Sequence, residues 1–277
     1  MPLSYSVPGR YPALLAFLCV MLVAAHGTAL SAQRLDIHED GSGHYHGLHF
    51  SHPLFTESIT PDTKIRLNVE GESEDEGNAY ELEAEGEYAF NRSFSIEIGV
   101  PYVTLDPDDA ASTSALGNIE VALKFANFVF EDAGILLGYG FAVGLPTGSP
   151  DKGIGSDTEW ELEPFLNAGI KRGPFELIGW ARFGIPVNIP DGEEVENEFH
   201  YDFSGLVHAK SWLQVLVELR GQLALNGEEA GAGRVRLAPG VKVAPFGPRL
   251  FLGLGGSFPL SDEELNARVR LAAFYHF

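Results

Sequence analysis

From residue 64 onward, apolar side chains alternate with polar or small ones in stretches of about ten to thirteen residues, each followed by a turn signal. Period-two alternation predicts β-strands with one apolar and one polar face. Strands in soluble sheets are shorter, whereas a tilted strand needs about 9–11 residues to cross a bilayer. The pattern therefore predicts about twelve membrane-spanning strands, at 64–72, 78–90, 94–104, 118–130, 133–146, 157–170, 174–188, 197–208, 211–225, 233–244, 248–259 and 264–277.

The strand at 78–90 shows why the polar face must meet water. Four glutamates alternate there with apolar or small residues, which places all four carboxylates on one side. A row of buried, unpaired carboxylates is unstable in hydrocarbon. We therefore predict an all-β fold: a single transmembrane antiparallel up-and-down β-barrel over 63–277, with apolar faces on lipid and polar faces on the lumen.

The connections between the predicted strands fall into two alternating sets. Short turns, such as 91–93 and 131–132, alternate with a set that is mostly longer and acidic, such as 105–117 and 189–196. Short periplasmic turns alternating with longer external loops are typical of bacterial barrels. Four prolines inside predicted strands run against the pattern, since proline removes a ladder donor: Pro101, Pro164, Pro186 and Pro239.

The first 32 residues have the features of an export signal. Arg10 precedes an apolar run at 11–25, and the small residues Ala29, Ser31 and Ala32 follow. Such a run suits a signal peptide and is short for a membrane-spanning helix, although an uncleaved anchor is an alternative. The only cysteine, Cys19, lies inside this run, so we expect no thiol chemistry in the mature protein.

The overall charge limits the range of partners. The formal net charge is −21 at pH 7, and nucleic-acid binding needs a basic face, so we expect no nucleic-acid partner. Together with the export signal, the predicted barrel indicates the outer membrane of a Gram-negative bacterium, with outer-membrane lipid as a partner.

The predicted lumen carries charges of both signs. Those near the start of the barrel are mostly acidic and those near its end are basic, so they would face each other across the interior. Two interpretations stay open: a transverse field in a pore, or salt bridges that fill a narrow barrel. The predicted lumen-lining residues are Glu81, Glu83, Glu85, Glu87, Glu97, Glu120, Lys124, Arg182, Arg220, Arg234, Arg236, Arg268 and Arg270.

A histidine-rich segment at 33–62 precedes the first strand. His44, His46, His49 and His52, with His38 nearby, are candidate ligands for a divalent metal such as zinc, copper or nickel. The alternatives are a flexible periplasmic leader with incidental histidines, or a segment tucked into the lumen. No cofactor is otherwise expected.

One strand carries the residue types of a hydrolase triad. His200, Asp202 and Ser204 alternate on the predicted lumen face, about 6.6–7 Å apart along the strand, which is too far for an easy nucleophile–base hydrogen bond. Lumen lining is the favoured interpretation, and we predict no enzymatic activity.

Two groups of residues resemble known outer-membrane sequences. Phe277, preceded by Tyr275, Ala273 and Leu271, resembles the C-terminal strand that the barrel-assembly machinery recognises. Residues 87–95 and 99–102, with the phrases at 116–119 and 145–148, resemble a Gram-negative outer-membrane family linked to the meta-pathway (MetA) of phenol degradation, although Asn118 replaces an expected aspartate. The resemblance implies a barrel that transports hydrophobic compounds, without catalytic residues.

These observations favour a channel for passive uptake or efflux of small molecules, including hydrophobic or aromatic ones. The alternative is a plugged structural or binding barrel with acidic surface loops and a metal-binding leader. Conductance separates the two hypotheses.

Overall fold

The computed structural model describes residues 48–74, 77–189, 195–227, 230–260 and 265–277. The predicted export signal at 1–32, and His38, His44 and His46, lie outside these residues. The described ranges contain thirteen strands: β1 Lys64–Glu74, β2 Gly77–Asn91, β3 Phe94–Pro107, β4 Thr113–Leu116, β5 Glu120–Phe130, β6 Ile135–Gly144, β7 Trp160–Arg172, β8 Phe175–Val187, β9 Glu198–Lys210, β10 Leu213–Ala224, β11 Gly233–Val243, β12 Leu250–Pro259 and β13 Leu265–His276.

Twelve of these strands close into an antiparallel barrel. Each long strand pairs with the next along the chain, with β3 passing directly to β5, and β1 pairs with β13 to close the circle. The closing register places Ile65 opposite Tyr275 and Val69 opposite Leu271. The prediction of a single all-β, up-and-down barrel of about twelve strands is confirmed.

The two faces of each strand differ as the alternation requires. In β1 the side chains of Lys64, Arg66 and Asn68 are buried inside the barrel, whereas Ile65 and Leu67 are about half exposed on its outside. Exposed apolar side chains around buried charges are the arrangement of a transmembrane barrel, whose outer surface contacts hydrocarbon. The protein is therefore an outer-membrane barrel.

The prolines within the strands are accommodated without a change of register. Around Pro164 the β7–β8 pairing passes from Leu162↔Ile185 to Phe165↔Arg182, and around Pro239 the β11–β12 pairing is interrupted in the same way. Local loss of ladder bonds follows from the missing N–H of proline, while the neighbouring pairs keep the strands aligned.

Aromatic side chains form a continuous band at the end of the barrel that carries the short turns. Tyr88, Phe90, Phe94, Phe125 and Tyr139 contact one another in sequence across β2, β3, β5 and β6, with ring centroids 4.9–5.3 Å apart. Such bands lie at the membrane–water interface, so this end marks one boundary of the bilayer.

The opposite end carries most of the longer connections. The loop between β3 and β5 contains β4, which pairs only with the end of β3 and was not predicted. Single-turn 3-10 helices lie at Glu131–Ala133, in the short turn between β5 and β6, and at Pro150–Lys152, in the longer connection between β6 and β7. No helix within the described residues is long and apolar enough to span a membrane.

Candidate functional site

Residues 48–63, which we call the plug, lie inside the barrel at the end with the short turns. Nearly every residue of this segment is buried, and Phe50, Leu54, Thr56 and Ile59 are fully so. The plug is a loop whose two limbs are joined by the Phe50 N–H donating to Thr60 Oγ1 at 2.9 Å. This half of the lumen is therefore filled by the chain itself.

Two apolar clusters hold the plug against the barrel wall. Leu54 and Phe55 pack into one cluster, and Phe50 and Ile59 into the other. The wall residues of the first cluster are Leu206, Leu216, Ala238, Ala244, Phe251, Ala272 and Phe274, and those of the second are Ala126, Leu136 and Ile178. All of these wall residues lie on lumen-facing positions, where water would meet them if the plug left.

Glycines on the wall make room for the plug. A Cβ on Gly240 would lie 2.6 Å from Leu54 Cδ1, and one on Gly253 would overlap Leu54 Cδ2. On the other side, a Cβ on Gly169 would lie 2.7 Å from Phe50 Cε1. Since real side chains do not approach this closely, the plug and these glycines are sterically matched.

Glu218, in the middle of β10, binds the tip of the plug. Its fully buried carboxylate accepts three consecutive backbone N–H groups, from Leu54 and Phe55 at 3.0 Å each and from Thr56 at 2.6 Å. Hydrogen bonds to an ionised acceptor are stronger than neutral ones. Glu218 therefore compensates the backbone donors of a turn that has no strand partner.

Cationic side chains bind the carbonyl groups of the same segment. Lys242 Nζ donates to the His52 carbonyl at 2.5 Å, Lys171 Nζ to the His49 carbonyl at 2.8 Å, and Arg270 Nη1 to the Leu54 carbonyl at 2.9 Å. Glu176 accepts the Ser51 N–H at 2.8 Å. Polar side chains from β7, β8, β10, β11 and β13 thus replace the hydrogen bonds that a strand ladder would give.

Below the tip of the plug, four predicted lumen residues, Glu85, Glu87, Glu97 and Lys124, form a buried ion-pair network with Lys64, which was not among the predicted residues. Lys64 Nζ lies 3.0, 2.6 and 3.0 Å from carboxylate oxygens of Glu85, Glu87 and Glu97, respectively. Lys124 Nζ lies 3.2 Å from Glu87 and 3.5 Å from Glu97. This part of the lumen is filled by salt bridges, one of the two interpretations that the sequence left open.

The remaining predicted lumen residues lie nearer the end with the long loops, in what we call the upper lumen. Arg182 lies 3.3 Å from Glu163, Arg220 3.5 Å from Asp202, and Arg270 2.5 Å from Glu70. The other predicted residues of the upper lumen, which are partly buried or exposed, are Glu81, Glu83, Glu120, Arg234, Arg236 and Arg268.

Charged side chains of both signs line the upper lumen. The predicted acidic residues of this region come from β2 and β5, and the predicted arginines come from β8, β10, β11 and β13. Because consecutive strands are neighbours, β10 and β11 lie across the circle from β2 and β5, whereas β13 is separated from β2 only by β1, where Glu70 pairs with Arg268 and Arg270. Arg220 and Arg236 are register partners across β10 and β11, which concentrates positive charge there.

Three histidines surround the carboxylate of Asp62 at the base of the plug. Asp62 Oδ2 lies 2.8 Å from His276 Nδ1, 3.1 Å from His52 Nε2 and 3.6 Å from His49 Nε2. Burial alone would raise the pKa of Asp62, but hydrogen bonds from the histidines hold this pKa far below its usual range. Burial, reinforced by the charge of Lys64, lowers the pKa of His52.

The structure does not assemble a triad from His200, Asp202 and Ser204. His200 Nε2 lies 2.9 Å from Glu198, Asp202 faces Arg220, and Ser204 Oγ has no hydrogen-bond partner within the described residues. All three side chains occupy lumen-facing positions on β9. The residues of the predicted assembly signal lie elsewhere: Leu271, Tyr275 and Phe277 are exposed on the outer face, and Ala273 is partly buried there.

Comparison with solved structures identifies relatives of the fold. The COG4313 outer membrane channel from Pseudomonas putida F1 aligns over 82% of this chain and all of its own, with a TM-score of 0.66 and 13% identity. The NanC porin aligns over 76% of this chain and all of its own, with a TM-score of 0.56 and 10% identity. The translocator domain of the autotransporter NalP from Neisseria meningitidis aligns over 98% of this chain and all of its own, with a TM-score of 0.54 and 11% identity.

At these identities the similarity concerns the fold. No family model matches the sequence, and no curated protein matches it. The resemblance to the MetA-linked family therefore stays a prediction.

Proposed function

We propose that this protein is a channel through which small molecules cross the outer membrane passively, and that the plug controls their passage. The observation that carries this proposal is the division of the lumen. A charged, partly exposed upper half lies above a lower half that is closed by residues 48–63. Among the described residues, the plug is covalently connected to the barrel only through the chain that continues into β1, and all its other contacts with the wall are non-covalent. Two of the structural relatives are described as a channel and a porin, which supports the same class of function.

The charges of the upper lumen indicate the kind of solute. The carboxylates and guanidinium groups that line it favour small polar or charged molecules, because such groups replace part of a solute's hydration. We therefore favour polar solutes over the hydrophobic or aromatic compounds implied by the MetA resemblance.

A second candidate is a permanently plugged barrel with a structural or binding role. It is favoured by the near-complete burial of the plug and by the number of strands that bind it. The two candidates differ in one property: a channel conducts when the plug is free to move, whereas a plugged barrel does not conduct.

A disulfide between the plug and the wall distinguishes them. Leu54 Cγ lies 3.5 Å from the position that a Cβ would occupy on Gly253. A sulfur in place of Leu54 Cγ is thus close to bonding distance of a cysteine at 253, given the geometry of disulfides. The test protein carries Leu54→Cys and Gly253→Cys with Cys19→Ser, and Leu54→Cys with Cys19→Ser is the matched control.

Conductance is measured in planar bilayers before and after reduction. We expect the oxidised double variant to be closed and the reduced form to conduct, while the control and the wild-type protein conduct under both conditions. Equal conductance of the oxidised and reduced double variant would contradict control by the plug. Absence of conductance in every form, the wild-type protein included, would contradict the channel and favour the plugged barrel.

A further inference from the structure

The base of the plug brings together donor atoms of a kind that transition metals prefer. The Nε2 atoms of His49 and His52 lie 3.6 and 3.1 Å from Asp62 Oδ2, and one ligand atom from each residue lies within 4.8 Å of the other two. All three side chains are more than nine-tenths buried. His49 and His52 come from one limb of the plug and Asp62 from the other, so an ion bound at this point would join the two limbs.

The spacing of these atoms suits a tetrahedral ion. Zinc binds imidazole nitrogen and carboxylate oxygen at about 2.0–2.2 Å, so neighbouring ligand atoms lie about 3.3–3.5 Å apart. The two histidine-to-aspartate distances lie on either side of this range. Small rotations of the imidazole rings therefore complete a three-ligand site and leave a fourth position for water.

The charge around Asp62 supports a bound cation. Within the described part of the chain, the ion-pair partners of Asp62 are histidines. Lys64, two residues further along the chain, is already bound by three glutamates. A divalent ion at this point would give the buried carboxylate a compensating charge.

We propose that His49, His52 and Asp62 bind one divalent transition-metal ion of the zinc class. His276 completes the site from outside the ligand set, because its Nδ1 hydrogen-bonds Asp62 Oδ2 at 2.8 Å and orients the carboxylate. Outer-shell partners of this kind are a regular feature of metal sites. The ion ties both limbs of the plug to each other and, through His276, to β13. This site differs from the one predicted from the sequence, which combined His49 and His52 with His44 and His46.

Cobalt binding to the full-length protein in detergent tests the site. After treatment with a chelator, Co²⁺ is added alone, and the visible absorption reports both stoichiometry and geometry. We expect one Co²⁺ per chain with the spectrum of a tetrahedral N/O site, displaced by Zn²⁺. His52→Asn and Asp62→Asn should each weaken binding by more than about 100-fold, and His276→Gln by about 10–100-fold.

Matched variants keep the test decisive. His200→Asn removes a lumen histidine that binds Glu198, and it should leave Co²⁺ binding unchanged. A triple His38→Ala, His44→Ala and His46→Ala variant, at positions outside the described residues, should also retain binding. The heat-dependent mobility of the barrel on gels establishes that each variant is folded, and His49→Gln provides a second ligand variant if Asp62→Asn fails to fold.

Three results would overturn the proposal: absence of Co²⁺ binding to the wild-type protein, full binding by a folded His49→Gln, His52→Asn double variant, or loss of binding in the triple variant with retention in the double variant. The last result would place the metal on the leader histidines.

Discussion

Glu218 accepts the backbone N–H of Thr56 at 2.6 Å, and this contact joins the middle of a barrel strand to the tip of the plug. The same carboxylate also accepts the two preceding N–H groups. A single side chain on the wall thereby fixes three residues of a segment that has no regular secondary structure.

Glu218→Gln should release the tip of the plug. The amide group presents N–H donors to backbone N–H groups, so at least one buried donor loses its partner, at a cost of about 1–3 kcal/mol. We expect chymotrypsin to cleave after Phe50 and Phe55 faster than in the wild-type protein, as measured by mass spectrometry of the folded barrel. Glu81→Gln, which touches none of the plug hydrogen bonds described, should show the wild-type cleavage rate. Equal rates in all three proteins would mean that Glu218 does not hold the tip.

Gly253→Val should displace the plug by steric overlap with Leu54. The added side chain lies on the lumen face, so the backbone hydrogen bonds between β12 and β13 are kept while the position occupied by Leu54 is blocked. We expect larger single-channel conductance than in the wild-type protein. The control is Gly86→Val on the outer face, where a Cβ meets nothing within 4 Å, and its conductance should be unchanged.

Lys64→Met should destabilise the barrel strongly. It removes the cation that three buried carboxylates share and leaves Lys124 as a partner of only two of them. Breaking a buried ion pair from one side costs about 3–5 kcal/mol. Urea unfolding in lipid vesicles measures this loss, and the exposed Lys152→Met serves as the reference variant. A loss below about 1 kcal/mol would show that water reaches the network.

Leu82→Arg tests the outer face as a lipid contact. Leu82 is about half exposed in the middle of β2, and arginine near the bilayer midplane costs about 2–4 kcal/mol. Phe246→Arg, in the short turn between β11 and β12, should cost only about 0–1 kcal/mol because that position lies near the interface. The same unfolding measurement compares them, and equal costs would be inconsistent with a bilayer whose midplane crosses the middle of β2.

The barrel was predictable because its signal is local. Whether Glu85 or Leu82 faces inward depends only on the alternation of odd and even positions along one strand, which can be read from the sequence. The number of strands follows from counting, and the charged lumen follows from the alternation.

The plug was not predictable in the same way. Residues 48–63 show no alternation of apolar and polar residues, and their Ser, Thr and Pro content is typical of a linker. A position inside the lumen was therefore only one of the alternatives that the sequence left open for this segment. Many partners of the plug come from more than 100 residues away, as with Ser51 and Glu176. Glu218, Lys242 and His276 all lie on the polar, inward face of their strands, but their roles depend on which strands lie opposite each other, which alternation does not specify. The one sequence signal for such a residue is that it is polar and lies on the inward face of its strand.

Asp62 precedes β1 by two residues, and its carboxylate is bound by His276 at the end of β13. These are the two strands that meet to close the barrel. The seam is therefore stabilised in two ways: by the backbone hydrogen bonds between β1 and β13, and by the hydrogen bond between Asp62 and His276 inside the barrel. Opening the seam would therefore also separate Asp62 from His276, so closure of the barrel and attachment of the second limb of the plug to β13 are coupled.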